Sequence, residues 1–193
     1  VQLLTDGLTA TALMSRSGCY EYKAQAAVKR LLQPNVKPDA PGTQHRRIGD
    51  SFHDDYRSYD DISAQLDMYT KSYPNLVKKK ESIGFSHERR QLPLIHITAS
   101  ELGEKPQIWI QAGQHAREWI ATAAAMYFID SLLKGYTSGD QAMISMLESF
   151  EFVVLPLVNP DGYEYTRTHN RMYRKNRRHP QGVDLNRNWD FKW

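Results

Sequence analysis

The chain has 193 residues, 40% of them hydrophobic and 24% charged, with a net charge of +3. That is enough for one domain with its own core, short for two, and too apolar for a disordered polymer. The charge is too mild to demand a nucleic-acid or membrane partner, no apolar run spans a bilayer, and a lone cysteine, Cys19, excludes an internal disulfide and a thiolate metal cage.

Residues 1–45 differ in character from the rest of the chain. Residues 1–18 are small and polar with scattered leucines. In residues 20–32, Ala24, Ala27, Val28, Leu31 and Leu32 recur at helical spacing, and Pro34, Pro38, Pro41 and Gly42 make an extended linker. His45, Arg46 and Arg47 form a basic step after it. The stretch reads as a flexible tail, or as a prosegment remnant with a basic processing site. A sequence that opens on Val1 without a signal pattern, and closes at Trp193 just after a motif-rich stretch, has the look of part of a longer product.

From residue 46 on, the chain reads as one domain. Ser58 is placed to cap a helix with Asp60 and Asp61 in its first turn, and Ile62, Leu66, Tyr69 and Tyr73 recur at amphipathic spacing until Pro74. Lys78, Lys79 and Lys80 read as a solvated strand start leading to Ile83 and Phe85. Residues 84–90 read as a turn and residues 92–98 as a second strand, where Pro93 predicts a free edge or a bulge. His87 and His96 have no partner at ligand spacing and read as structural.

Residues 107–119, QIWIQAGQHAREW, carry the first chemistry. Ile108 and Ile110 alternate with Trp109 and Gln111 as in a strand, Gly113 breaks the run, and an alanine-rich segment starts at once. A strand that turns into a helix puts the turn at the carboxyl edge of a sheet, where α/β proteins place their sites. His115 and Glu118 lie there three residues apart, on nearly one face if the helix has begun. An imidazole and a carboxylate so placed are two of the three ligands of a catalytic zinc, but a solvated His–Glu pair has the same spacing.

The helix after them presents Ala121, Ala124, Ala125, Phe128, Ile129, Leu132 and Leu133 on one face and reaches Gly135. Residues 140–148 read as another helix with Met143, Ile144 and Leu147 inward. Residues 151–158, EFVVLPLV, read as a strand buried on both faces. The order predicts an α/β fold, with a mixed, partly parallel sheet flanked by helices.

Asn159-Pro160-Asp161-Gly162 is a turn signal directly after the buried strand. Residues 165–178 then gather Arg167, Arg171, Arg174, Lys175, Arg177 and Arg178 around Tyr165 and Tyr173, and residues 182–189 read GVDLNRNW. Arginines among aromatics are usually a solvated face. They also bind single-stranded nucleic acid, or act as separately aimed guanidiniums for a carboxylate and a developing oxyanion. The charge is local, which weakens the nucleic-acid reading.

HAREW, NPDGYEYT, RMYRKNR and GVDLNRNWD together resemble, in identity and order, the zinc metallocarboxypeptidases of the pancreatic carboxypeptidase A/B type. The similarity runs from about Tyr56 to the last residue, so residues 46–193 read as the N-terminal part of that catalytic domain. The resemblance implies hydrolysis of the C-terminal peptide bond of peptides and proteins by a zinc-activated water. It implies His115 and Glu118 as zinc ligands, and Arg174 as the catalytic group that polarises the scissile carbonyl. Arg117 and Arg171 match residues that contact the substrate chain, and Asn186 with Arg187 match the pair that grips the terminal carboxylate. Asp184 matches the carboxylate that holds the ligand histidine's other nitrogen.

The resemblance also implies secretion; neither a nucleic-acid nor a membrane partner is expected, and a monomer is the default. It places the third zinc ligand, the general base and the floor of the specificity pocket beyond Trp193. The 193 residues alone are therefore expected to be inactive, with an open sheet edge where later strands would lie. The alternative is a catalytically dead carboxypeptidase-like module that binds peptide C-termini.

Overall fold

The computed structural model describes residues 2–5, 8–12 and 52–190. The helix expected over residues 20–32, the proline linker, the basic step at 45–47 and Cys19 lie outside the described residues.

The elements are β1 (Gln2–Thr5), β2 (Leu8–Ala12), α1 (Tyr59–Ser72), β3 (Val77–Phe85), β4 (Gln91–Ile97), β5 (Gln107–Gln111), α2 (Trp119–Thr137), α3 (Gln141–Ser149), β6 (Glu151–Leu155) and α4 (Pro160–Thr168), with short 3-10 turns at Phe52–Asp54 and Leu185–Arg187. One mixed sheet runs β1-β2-β5-β6-β4-β3. Its central pair, β5 and β6, is parallel in the register Ile108↔Phe152 and Ile110↔Val154; every other pair is antiparallel. The α/β class with a mixed, partly parallel sheet and flanking helices is what the pattern of elements predicted.

Local chemistry sets the ends of these elements. Ser58 caps α1 in a reciprocal capping box with Asp61, and Asp140 caps α3 by accepting from the Ala142 and Met143 amides. The main core packs Ile62, Leu66 and Tyr69 of α1, Ala125, Phe128, Ile129, Leu132 and Leu133 of α2 and Leu147 of α3 onto Ile95, Ile97, Ile108, Ile110, Phe152 and Val154 of the sheet. The other face holds a smaller cluster of Leu94, Val153 and Leu155 with Trp109 against it. All five residues of β6 are buried, as the unbroken apolar run required.

The structure revises some expectations and bears out others. The first dozen residues, read as part of a flexible tail or a prosegment remnant, include two strands, and Leu8–Ala12 pairs antiparallel with β5, so β5 is not an edge strand. Pro93 sits where the β3–β4 register shifts and beyond the stretch of β4 that pairs with β6, so it breaks no ladder between them. Gly135 does not end α2. The helix runs on to Thr137, and a Cβ at 135 would collide with the Met143 side chain, so the glycine is there to let α3 approach. Met146, absent from the expected inward face of α3, is buried beside Leu147. His96 is structural: its Nδ1 is 2.7 Å from the buried Glu151 and its Nε2 is 3.0 Å from Glu81, which ties β3, β4 and β6 together.

Candidate active site

The site is built where β5 and β6 end. The parallel ladder continues past both strands, with the Ala112 amide donating to Leu155 O and the Val158 amide to Ala112 O. Gly113 then takes φ +66°, and a side chain there would lie 2.6 Å from Thr122 Oγ1 and 2.7 Å from a Leu157 methyl. Both backbone and space demand glycine at this point.

His115 and Glu118 do meet, but not as a helical pair. They stand in the turn before α2, closed by the Glu118 amide donating to His115 O at 3.1 Å, and Glu118 itself is the residue before the first helical turn. Its carboxylate makes no cap hydrogen bond. It faces His115 Nδ1 instead, at 3.0 and 3.1 Å.

Two later segments close on this turn. The Ala116 amide donates to Arg174 O at 3.0 Å, and Gln114 Nε2 donates to Leu185 O at 3.1 Å. Arg174 reaches Glu118 Oε1 at 3.6 Å and donates from Nε to Asp184 Oδ2 at 2.9 Å. The other oxygen of Asp184 stands 3.3 Å from His115 Nε2, close but off the hydrogen-bonding direction, and accepts from the Asn186 amide at 3.0 Å. Burial works against charge on Asp184. The Arg174 hydrogen bond and the Asn186 N–H outweigh it and hold the carboxyl below its ordinary range.

Thus His115, Glu118, Arg174 and Asp184 form one cluster. Arg117 and Arg171 sit beside it: Arg171 donates to Arg117 O at 2.8 Å and lies 3.8 Å over the Trp119 ring. The sequence pattern does not single out Trp119 as that platform, although HAREW contains it. Asn186 and Arg187 join only through the backbone of their turn. Both are exposed, and Arg187 curls back to Asn186 O at 2.9 Å. NPDG, expected to be a free turn, is the cap and first turn of α4, with Pro160 preset for the first helical position. Arg177 is held by Glu88 and the rings of Tyr165 and Tyr173, so it is not offered to a polyanion. The cavity walled by Phe52, Tyr56, Ile120 and Tyr127 contains none of the His115 cluster.

A neutral imidazole nitrogen and a carboxylate facing each other are a donor set that suits zinc, and His115 is buried with Asp184 at its far nitrogen. Two donors therefore fit such an ion. Among the described residues no group of three His, Cys, Asp or Glu side chains is arranged to hold a metal.

The profile of the zinc carboxypeptidases matches residues 62–193, more than half of the chain. The chain belongs to the zinc carboxypeptidase family. Rat carboxypeptidase A2 is 37% identical over 176 residues, covering 88% of this chain and 41% of the relative. An inactive metallocarboxypeptidase of Saccharomyces cerevisiae is 37% identical over 152 residues, 75% of this chain and 35% of that protein. The crystal structure of thrombin activatable fibrinolysis inhibitor superposes with a TM-score of 0.69 at 31% identity, covering 88% of this chain and 41% of that one. The chain thus spans about two fifths of the length of the curated relatives it matches. Among its described residues no helix is long and apolar enough to cross a membrane.

Proposed function

We propose that the chain carries the N-terminal half of a carboxypeptidase site that hydrolyses the last peptide bond of peptides and proteins. The observation behind this is the convergence of His115, Glu118, Arg174 and Asp184 from three separate segments within ion-pair reach. His115 Nδ1 and the Glu118 carboxylate would hold the zinc, and Asp184, 3.3 Å from Nε2, is the carboxylate that would favour a proton on that nitrogen and leave Nδ1 free as a donor atom. When bound, zinc supplies Lewis acidity and a nucleophilic water near neutral pH.

The remaining roles belong to the arginines. Arg174 brings positive charge to the oxygen that becomes negative as the scissile carbonyl is attacked. Asn186 and Arg187 recognise the terminal carboxylate, a group that suits a forked guanidinium beside an amide, while Arg117 and Arg171 hold the upstream peptide. Secretion and a monomeric state go with this reading.

The described residues supply two of the metal donors, so on this reading the chain as given binds zinc weakly and does not turn over. Amino-acid release from a peptide by the purified chain at enzyme-like rates would overturn that. In a longer version of the protein, His115→Ala abolishes zinc retention and hydrolysis; a zinc-replete, active variant would refute the ligand assignment. A second reading is a catalytically dead module that keeps the carboxylate grip, which the similarity to an inactive yeast relative favours. Binding of free-carboxylate peptides but not of their amides, by a longer version that never turns over, is its signature.

A further inference from the structure

The Asn159 side chain spans the two halves of the candidate site. Asn159 is 3% exposed. Its Oδ1 accepts from the Gly162 amide at 3.1 Å and caps α4. Its Nδ2 donates to Gln114 O at 3.2 Å and to Lys175 O at 3.0 Å. Gln114 precedes His115, and Lys175 comes directly after Arg174. Capping needs only an acceptor, which Asp, Ser or Thr supply equally well. Only an amide adds two donors on the far side.

Gly162 makes room for this arrangement. A Cβ there would lie 2.5 Å from Lys175 O and 2.6 and 2.8 Å from the two amide atoms of Asn159. The asparagine's own amide donates to Gly113 O at 3.2 Å, so backbone and side chain grip both ends of the turn that leads to His115.

We propose that Asn159 is a positioning residue that sets the spacing between the His115–Glu118 turn and Arg174. It acts through the carbonyls of Gln114 and Lys175 and touches neither substrate nor metal. The functional weight of this tie rests on the proposed carboxypeptidase site. Misplacing a positioned group by about 1 Å can cost roughly a hundredfold in rate, which is why a cap that also fixes this distance matters.

The test uses the full chain and amide hydrogen exchange at Ala116, whose N–H bonds Arg174 O across the two segments. Asn159→Asp keeps the cap but replaces the one nitrogen that makes both donations by a carboxylate oxygen facing the two carbonyls. Gly162→Ala keeps the asparagine but drives a methyl group against Lys175 O and the asparagine's own amide, which forces the tie apart. The control is Asp161→Asn, which weakens the same turn through its contacts with Ser86, the Glu88 amide and Arg90 and does not touch the tie.

At matched global stability, Asn159→Asp and Gly162→Ala are expected to speed Ala116 exchange roughly tenfold over the control, the equivalent of the lost hydrogen bonds. Ala116 exchange that merely tracks global stability in all three variants overturns the proposal. If Asn159→Asp fails to fold, Gly162→Ala decides by the same criterion. The readout needs no metal or peptide, so failure of the zinc assignment, seen with His115→Ala, is distinguishable from failure of the tie.

Discussion

Replacing Asp184 by Asn asks whether the link between the NRNW turn and the rest of the cluster is electrostatic. Asn still accepts from the Asn186 amide, so the cap costs only a few tenths of a kcal/mol. What is lost is the charge facing Arg174 Nε at 2.9 Å and His115 Nε2 at 3.3 Å. A charge-assisted hydrogen bond is worth about 1.5–3 kcal/mol when shielded. Here the Arg174 and Asp184 side chains are 27% and 20% exposed, and screening reduces the figure to about 1 kcal/mol. For a chain of this length that corresponds to about 2–4 °C in Tm.

The dependence on pH has a definite sign. The folded carboxyl titrates below its unfolded counterpart, so its contribution is complete above about pH 3.9 and drains away as pH falls through the lower folded value. Thermal unfolding of wild type, Asp184→Asn, Arg174→Met and the double variant should show a coupling of about 1 kcal/mol at pH 7 that shrinks on acidification and in high salt. Additive effects at pH 7, or a coupling unchanged at the acid end, would refute the reasoning.

Glu151→Gln removes a buried carboxylate that accepts from His96, Gln107 and the Gly103 amide; hydrogen bonds to it hold its carboxyl below the ordinary range despite burial. Urea unfolding should show a loss of about 2–4 kcal/mol near neutral pH that diminishes below the carboxylate range, and a loss independent of pH would count against it. Gly135→Ala should destabilise by about 1–2 kcal/mol even though alanine favours helix, with Met143→Ala restoring most of it; a simple gain in stability would show that α3 does not press on this position. In a longer version of the protein, Arg187→Met should abolish the preference of peptide binding for a free carboxylate over an amide while leaving far-UV circular dichroism unchanged; an undiminished preference would remove Arg187 from that role.

Period and punctuation carried much of the fold. The alternation in residues 107–111, the α1 spacing capped by Ser58 and the unbroken run after Glu151 each express one local rule, and tertiary packing agrees with all of them. The failures come where two rules compete. Gly135 looked like a helix stop, but close packing against Met143 explains it better than chain conformation does. NPDG carries turn residues and helix-start residues at once, and Pro160 fits the first helical position as well as a turn. His115 and Glu118 were joined through an assumed helix, whereas a tight turn brings them together and leaves the carboxylate free of capping. The approach of Arg174 and Asp184 to them is long-range, and in the sequence it was visible only through family resemblance. Asn159 carried no signal beyond its motif, because a cap and a cross-link look alike in one dimension.

The ribbon made by residues 2–5 and 8–12 has a practical bearing. It is laced to the same strand that delivers Gly113 and His115, so substitutions in these two strands pull on the scaffold of the site. Variants in either strand should be checked for folding before any loss of binding is blamed on the chemistry at His115.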